Sequence, residues 1–124
     1  MDTISAGALL GRVAWLSQSL DQIQVVVCDA LAGRADTSRV DWSSLQEITG
    51  GLADGEDILG LVEALTGVLQ TGLSIVETTL ARPGADHLAL EAALDAVELW
   101  TSALLRGRGT GGLIGAGLMP APPL

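Results

Sequence analysis

The sequence predicts an all-α fold: a small helical bundle of three main helices, at about 3–32, 55–82 and 86–106, with a short helix at about 42–49 and an extended Gly/Pro-rich C-terminal tail. Three observations predict it. Hydrophobic residues make up 48% of the chain and are mostly Leu, Ala, Val and Ile, with no Phe or Tyr; Leu and Ala lose little side-chain freedom in a helix. Apolar positions recur at steps of four and three, the helical repeat. Clusters of Gly, Pro, Asp and Ser fall between the periodic stretches, where turns belong. The 124 residues suit one domain, read as a helical-bundle domain over 1–106 and an apolar tail over 107–124.

The first helix has Asp2 or Thr3 as a candidate N-cap and Gly33 as its stop. Leu9, Val13, Leu16, Leu20, Ile23, Val27 and Ala30 form a heptad-like seam on one face. Residues 33–42 are polar and read as a loop. The short helix follows, with Ser44 and Glu47 spaced as a capping box and Gly50-Gly51 as the stop.

The third helix carries most of the information. Asp54 is a candidate N-cap, and Arg82-Pro83-Gly84 marks the end. Ile58, Val62, Leu65, Leu69, Gly72 and Val76 form an apolar stripe, widened by Leu61, Val68 and Ile75. Gly60, Ala64, Gly67, Thr71, Ser74 and Thr78 form a stripe of small residues. Glu56, Glu63, Gln70 and Glu77 form one thin polar line, read as a solvated strip. An ordinary surface helix buries an arc of a little over a third of its circumference. This helix leaves only a narrow strip suited to water, so it is either central to the bundle or shared with another subunit. Glycine inside a helix costs up to about 1 kcal/mol relative to Ala, and close packing against another helix would offset that cost.

In the last helix Asp86 is a candidate cap, Leu90, Ala93, Leu94, Val97, Trp100 and Leu104 face inward, and Glu91, Asp95, Glu98 and Ser102 face out. Arg106 suits the negative helix end. The tail is rich in Gly and closes on Pro120, Pro122 and Pro123, which favour extended structure. Leu113, Ile114, Leu118 and Met119 give it apolar points; the tail reads either as a disordered extension or, more sharply, as a docking strand on a neighbouring subunit.

Charge and motif content narrow the function. The net charge is −9, and all six basic residues are Arg. An acidic surface repels phosphate, so no nucleic-acid partner is expected. The 58–80 segment is long enough to span a bilayer, but Glu63, Gln70 and Glu77 interrupt it, so no membrane span is expected. Asp2 and the absence of a basic cluster near the start give no secretory signal, and the chain is read as cytoplasmic or part of a protein particle. Cys28 is the sole cysteine and reads as a small buried hydrophobe. His87 with Glu91 at i, i+4 is too few ligands for a metal site. The 107–112 glycines follow a helix and lack the Lys of a phosphate loop. No catalytic residue, metal or cofactor is expected.

These readings converge on a non-catalytic structural or adaptor subunit that binds other protein chains, its own copies first, as a homo-oligomer or a component of a virion or other multi-subunit particle. The expected interface is Gly60, Leu61, Ala64, Gly67, Val68, Thr71, Ser74 and Ile75, with Leu113, Ile114, Leu118 and Met119. The alternative is a carrier or sensor that holds an apolar small molecule between helices, with Gly60, Gly67 and Gly72 lining the cavity.

Overall fold

A computed structural model describes residues 6–49, 55–107 and 111–118 of the chain. Asp2, Thr3, Gly50, Gly51, Asp54 and Met119, which carry some of the expected caps, stops and contacts, lie outside them. The described residues form α1 (Ala6–Leu31), α2 (Trp42–Thr49), α3 (Glu56–Leu80), α4 (His87–Arg106) and α5 (Gly112–Gly115), with no strand among them. The three long helices pack on one another in an up-down-up bundle, and α5 packs on α2 and α4.

The α1 seam is buried at every expected position, from Leu9 to Ala30. The helix ends at Gly33 (φ +74°), a left-handed residue that glycine adopts without steric cost. There the Arg34 N–H donates to the Asp29 carbonyl and the Gly33 N–H to the Ala30 carbonyl, at 2.8 and 3.2 Å. This is a Schellman ending, which satisfies carbonyls that the helix leaves open.

Helix α2 is capped differently from the expectation. Asp41, not Ser44, is its N-cap: the Asp41 carboxylate accepts from the Ser43 N–H and from the Ser44 hydroxyl, both at 3.1 Å. Ser44 lies inside the first turn. An ionised carboxylate at the positive helix end gains from the dipole as well as the hydrogen bond, so it displaces the hydroxyl.

The α3 and α4 core seams follow the expected line over much of their length and step over by one residue at Leu65, Gly72 and Trp100, where Thr66, Leu73 and Thr101 are buried instead. In α3 the buried set is Ile58, Leu59, Val62, Thr66, Leu69, Leu73, Val76 and Leu80, while Leu65 and Gly72 are only half-buried. In α4 Thr101 is buried in place of Trp100, which is 49% exposed. Both threonines enter the core because their hydroxyls donate to carbonyls one turn back, Thr66 to Val62 and Thr101 to Val97, each at 2.7 Å. A hydroxyl satisfied by its own helix leaves no unpaired polar group in the apolar interior. Asp86 caps α4 as expected, accepting from the Leu88 and Ala89 N–H groups at 3.1 and 3.2 Å.

The tail is not an extended strand over its described part. Residues 112–115 form a helical turn, and Leu113 and Ala116 belong to the same core cluster as α1 and α3. The Asp41 N–H donates to the Ala116 carbonyl at 3.1 Å, tying the turn to the start of α2. Gly112 (φ +66°) is what allows the turn to close: a Cβ there would lie 2.7 Å from the backbone at Leu105, Arg106 and Gly107.

Candidate interaction surface

The outward face of α3 is built from the expected residues. Leu61, Val68 and Ile75 are 45%, 66% and 61% exposed. They recur every seven residues and so share one flank of the helix. Gly60, Ala64, Thr71 and Ser74 are exposed beside them, and Gly67 is half-buried. Among the described residues a Cβ added at Gly60, Gly67 or Gly72 would meet nothing within 4 Å, so no described element makes the close approach those glycines permit. The stripe also presents little hydrogen-bonding capacity. The Thr71 and Thr78 hydroxyls donate to the Gly67 and Ser74 carbonyls, at 3.0 and 2.9 Å, which leaves their methyl groups to face outward.

The polar line of α3 lies against α1. The Gln70 amide donates to the Asp21 carboxylate at 2.9 Å, and the Cys28 thiol donates to the Glu63 carboxylate at 3.4 Å. Residues 21 and 28 on α1 and 63 and 70 on α3 thus pair across antiparallel helices at one heptad pitch. Glu63 is half-buried at this joint and Glu77 is exposed; the side chain of Glu56 lies outside the described residues. Cys28 is half-buried at the edge of the bundle, not within the core, and also accepts from the Gln24 amide at 3.3 Å. Partial burial pushes its thiol above the usual range, and the Glu63 carboxylate, which accepts from the protonated form, pushes it further.

On its other side α1 meets α4. The Arg12 guanidinium donates to Asp95 at 2.8 Å and to Glu98 at 2.7 Å, and these hydrogen bonds hold its pKa above the ordinary value. A cleft of about 1220 Å³, open to solvent, runs beside α1 and is lined in part by Trp15, Val25, Val26, Leu105 and Ile114. Gly60, Gly67 and Gly72 do not line it.

The predicted tail contacts fall elsewhere. Leu113 is fully buried in this chain's own core, and Leu118 is partly buried against that core. Ile114 is half-buried and lines the cleft. As placed, Leu113 has no surface to give a neighbouring subunit. Reading by sequence also passed over the exposed Trp15, Leu88 and Leu99, and placed the exposed Trp100 inside. A strict alternation of four and three through Leu90, Leu94, Val97, Thr101 and Leu104 would have put Trp100 outside.

No group of three or more His, Cys, Asp and Glu side chains is placed to hold a metal ion among the described residues. Asp57–Leu80 is long and apolar enough to cross a membrane, a property that core helices of soluble proteins share. The chain matches no family model, no curated protein and no solved structure.

Proposed function

We propose that this protein is a non-catalytic structural or adaptor subunit that associates with other protein chains, copies of itself included, through the outward face of α3. One observation carries the reading: Leu61, Val68 and Ile75 stand exposed in register on a folded chain. Covering one such side chain, already about half covered by its own chain, gains roughly half of the 1.5–3 kcal/mol of full burial, and apolar surface of this kind marks association sites. A multi-subunit particle is the setting that suits a small acidic chain with such a face. Light scattering on the purified full chain, coupled to size exclusion, tests the reading. It expects a mass above one chain that falls on dilution, and a strict monomer at tens of micromolar overturns it.

A second reading, a carrier of an apolar small molecule, draws on the cleft beside α1, whose volume of about 1220 Å³ lies somewhat above the roughly 300–1,000 Å³ usual for ligand pockets. Its openness to solvent and its lining by Asp21, Glu77 and Glu98 weigh against a wholly apolar guest. Native mass spectrometry of the purified protein decides this one by the presence or absence of a co-purifying molecule.

A further inference from the structure

Leu61 and Val68 on α3 and Trp100 on α4, all exposed, lie on the flanks where these two helices meet, while Leu88 and Leu99 of α4 face elsewhere. In α3, Glu63 and Gln70 point to α1. Leu61 and Val68 come two residues before them, and a step of two residues turns about 160° round a helix. They therefore stand on the opposite flank, toward α4. In α4, Glu98 points to α1, and Trp100, two residues later, stands on the flank toward α3 by the same turn. Ala89, Ala93 and Ala96 share that flank. The connection at 81–86 is short, so counting back along both helices brings Trp100 about level with Val68.

From these observations the geometry points to a two-fold dimer in which the α3–α4 edge of one copy packs on the same edge of a second copy, with the two α3 helices antiparallel and the axis beside Val68. This rests on the self-association proposed above and adds its surface and register. Three arguments commit the edge to a second copy. The first is area. A stable interface covers about 800 Å² a side, whereas α3 alone, 25 residues and so about 37 Å long by about 10 Å wide, offers roughly half of that. Adding the α4 flank brings the edge close to the requirement, so the dimer uses both helices, with the Trp100 indole as its largest anchor. The second is charge. Two chains of −9 repel, yet Leu61, Val68, Ile75, Ala89, Ala93, Ala96 and Trp100 bring no charge to the middle of the edge, and the Asp57 carboxylate stands only at its end. The third is symmetry. Val68 lies midway between Leu61 and Ile75, so a perpendicular axis at Val68 sets Leu61 of one copy against Ile75 of the other. Antiparallel pairing also opposes the helix dipoles and separates the two Asp57 carboxylates, which parallel pairing would juxtapose.

The test combines light scattering with single-cysteine cross-linking of the full chain, in a Cys28→Ser background whose helicity and melting temperature match the parent. Val68→Cys should form a disulfide-linked dimer about ten-fold faster than Leu88→Cys, which is 72% exposed on another face, because bridging needs Cβ atoms within roughly 4.5 Å. Leu61→Cys alone should not link, whereas Leu61→Cys mixed with Ile75→Cys should. Self-linking of Leu61→Cys overturns the antiparallel register. A dimer by light scattering in which Val68→Cys fails to link overturns this edge and leaves self-association standing. A monomer at every concentration overturns both.

Discussion

Helices α1 and α3 are nearly the same length and pack along each other, yet they divide their circumferences differently. In α1 the seven seam residues are buried, and the surface beyond them mixes Arg12, Gln18, Ser19, Asp21, Gln22 and Asp29 with scattered exposed Leu10, Trp15, Val25 and Leu31. In α3 the seam is buried too, but the surface beyond it is Leu61, Val68 and Ile75 with small residues alongside. The first helix intersperses its exposed apolar side chains with charged and amide groups, whereas the second sets Leu61, Val68 and Ile75 in one heptad line beside small residues. On the proposed function, stability and association are then separable, and substitutions can address either one.

The largest effect should come from one change made on each helix. Leu20→Asp places a carboxylate where the side chain is fully buried and should abolish the cooperative thermal transition, since an unpaired buried charge is not tolerated. Val68→Asp makes the same kind of change on the outer face of α3. It should leave the monomer's stability within about 0.5 kcal/mol of the parent while abolishing association, read by circular dichroism and light scattering. Equal loss of structure in both variants would erase the contrast.

Next in size are changes at α5, which measure how far the tail belongs to the core. Leu113→Ala should cost about 2–5 kcal/mol, the usual range for truncating a fully enclosed Leu. Gly112→Ala should also lower the melting temperature, because a side chain there is strained in φ and collides with the end of α4. An unchanged melting temperature in both would return this segment to the status of an appendage. Smaller still, Arg12→Ala should cost about 0.2–1 kcal/mol, as for other exposed ion pairs. That loss should shrink in high salt, measured by urea denaturation at two ionic strengths.

The smallest effect concerns Cys28. Its raised pKa means less thiolate near pH 8, so it should react with an aromatic disulfide reagent more slowly than a free thiol. Glu63→Gln should speed that reaction by removing the negative neighbour. The sign for stability follows: the folded state holds the thiol proton more tightly than the unfolded one. The contribution is thus full below the unfolded value and fades as pH rises through the folded one. A thiol in Glu63→Gln no faster than in the parent would remove the carboxylate from this account.

Much of the bundle was legible in the sequence. The α1 seam, the Gly33 stop, the Asp86 cap and the order of the helices follow from step lengths and terminal residues alone. The α3 and α4 seams were misplaced by one position only at Leu65, Gly72 and Trp100; Leu65 and Trp100 look more like core than Thr66 and Thr101 do. That judgement weighed side-chain polarity and overlooked the carbonyl one turn back that satisfies a buried hydroxyl. The outer face of α3 was legible for the same reason that its role needs experiment: heptad spacing says which residues share a flank, and not what meets them. The tail misled because its glycines resemble a linker, while the close approach that requires Gly112 arises only in three dimensions.

The docking of α5 has a consequence for the order in which the molecule can be completed. Leu113 and Ala116, which finish one end of the bundle, leave the ribosome after every long helix, since synthesis runs from the N-terminus. Until they emerge, α2 and α4 lack the cover that α5 gives them, and the nascent bundle stays open at that end. A chain released early, at about Gly107, would carry every long helix and still be unfinished. Limited proteolysis of such a truncated chain, compared with the full one, should show cleavage that the complete protein resists.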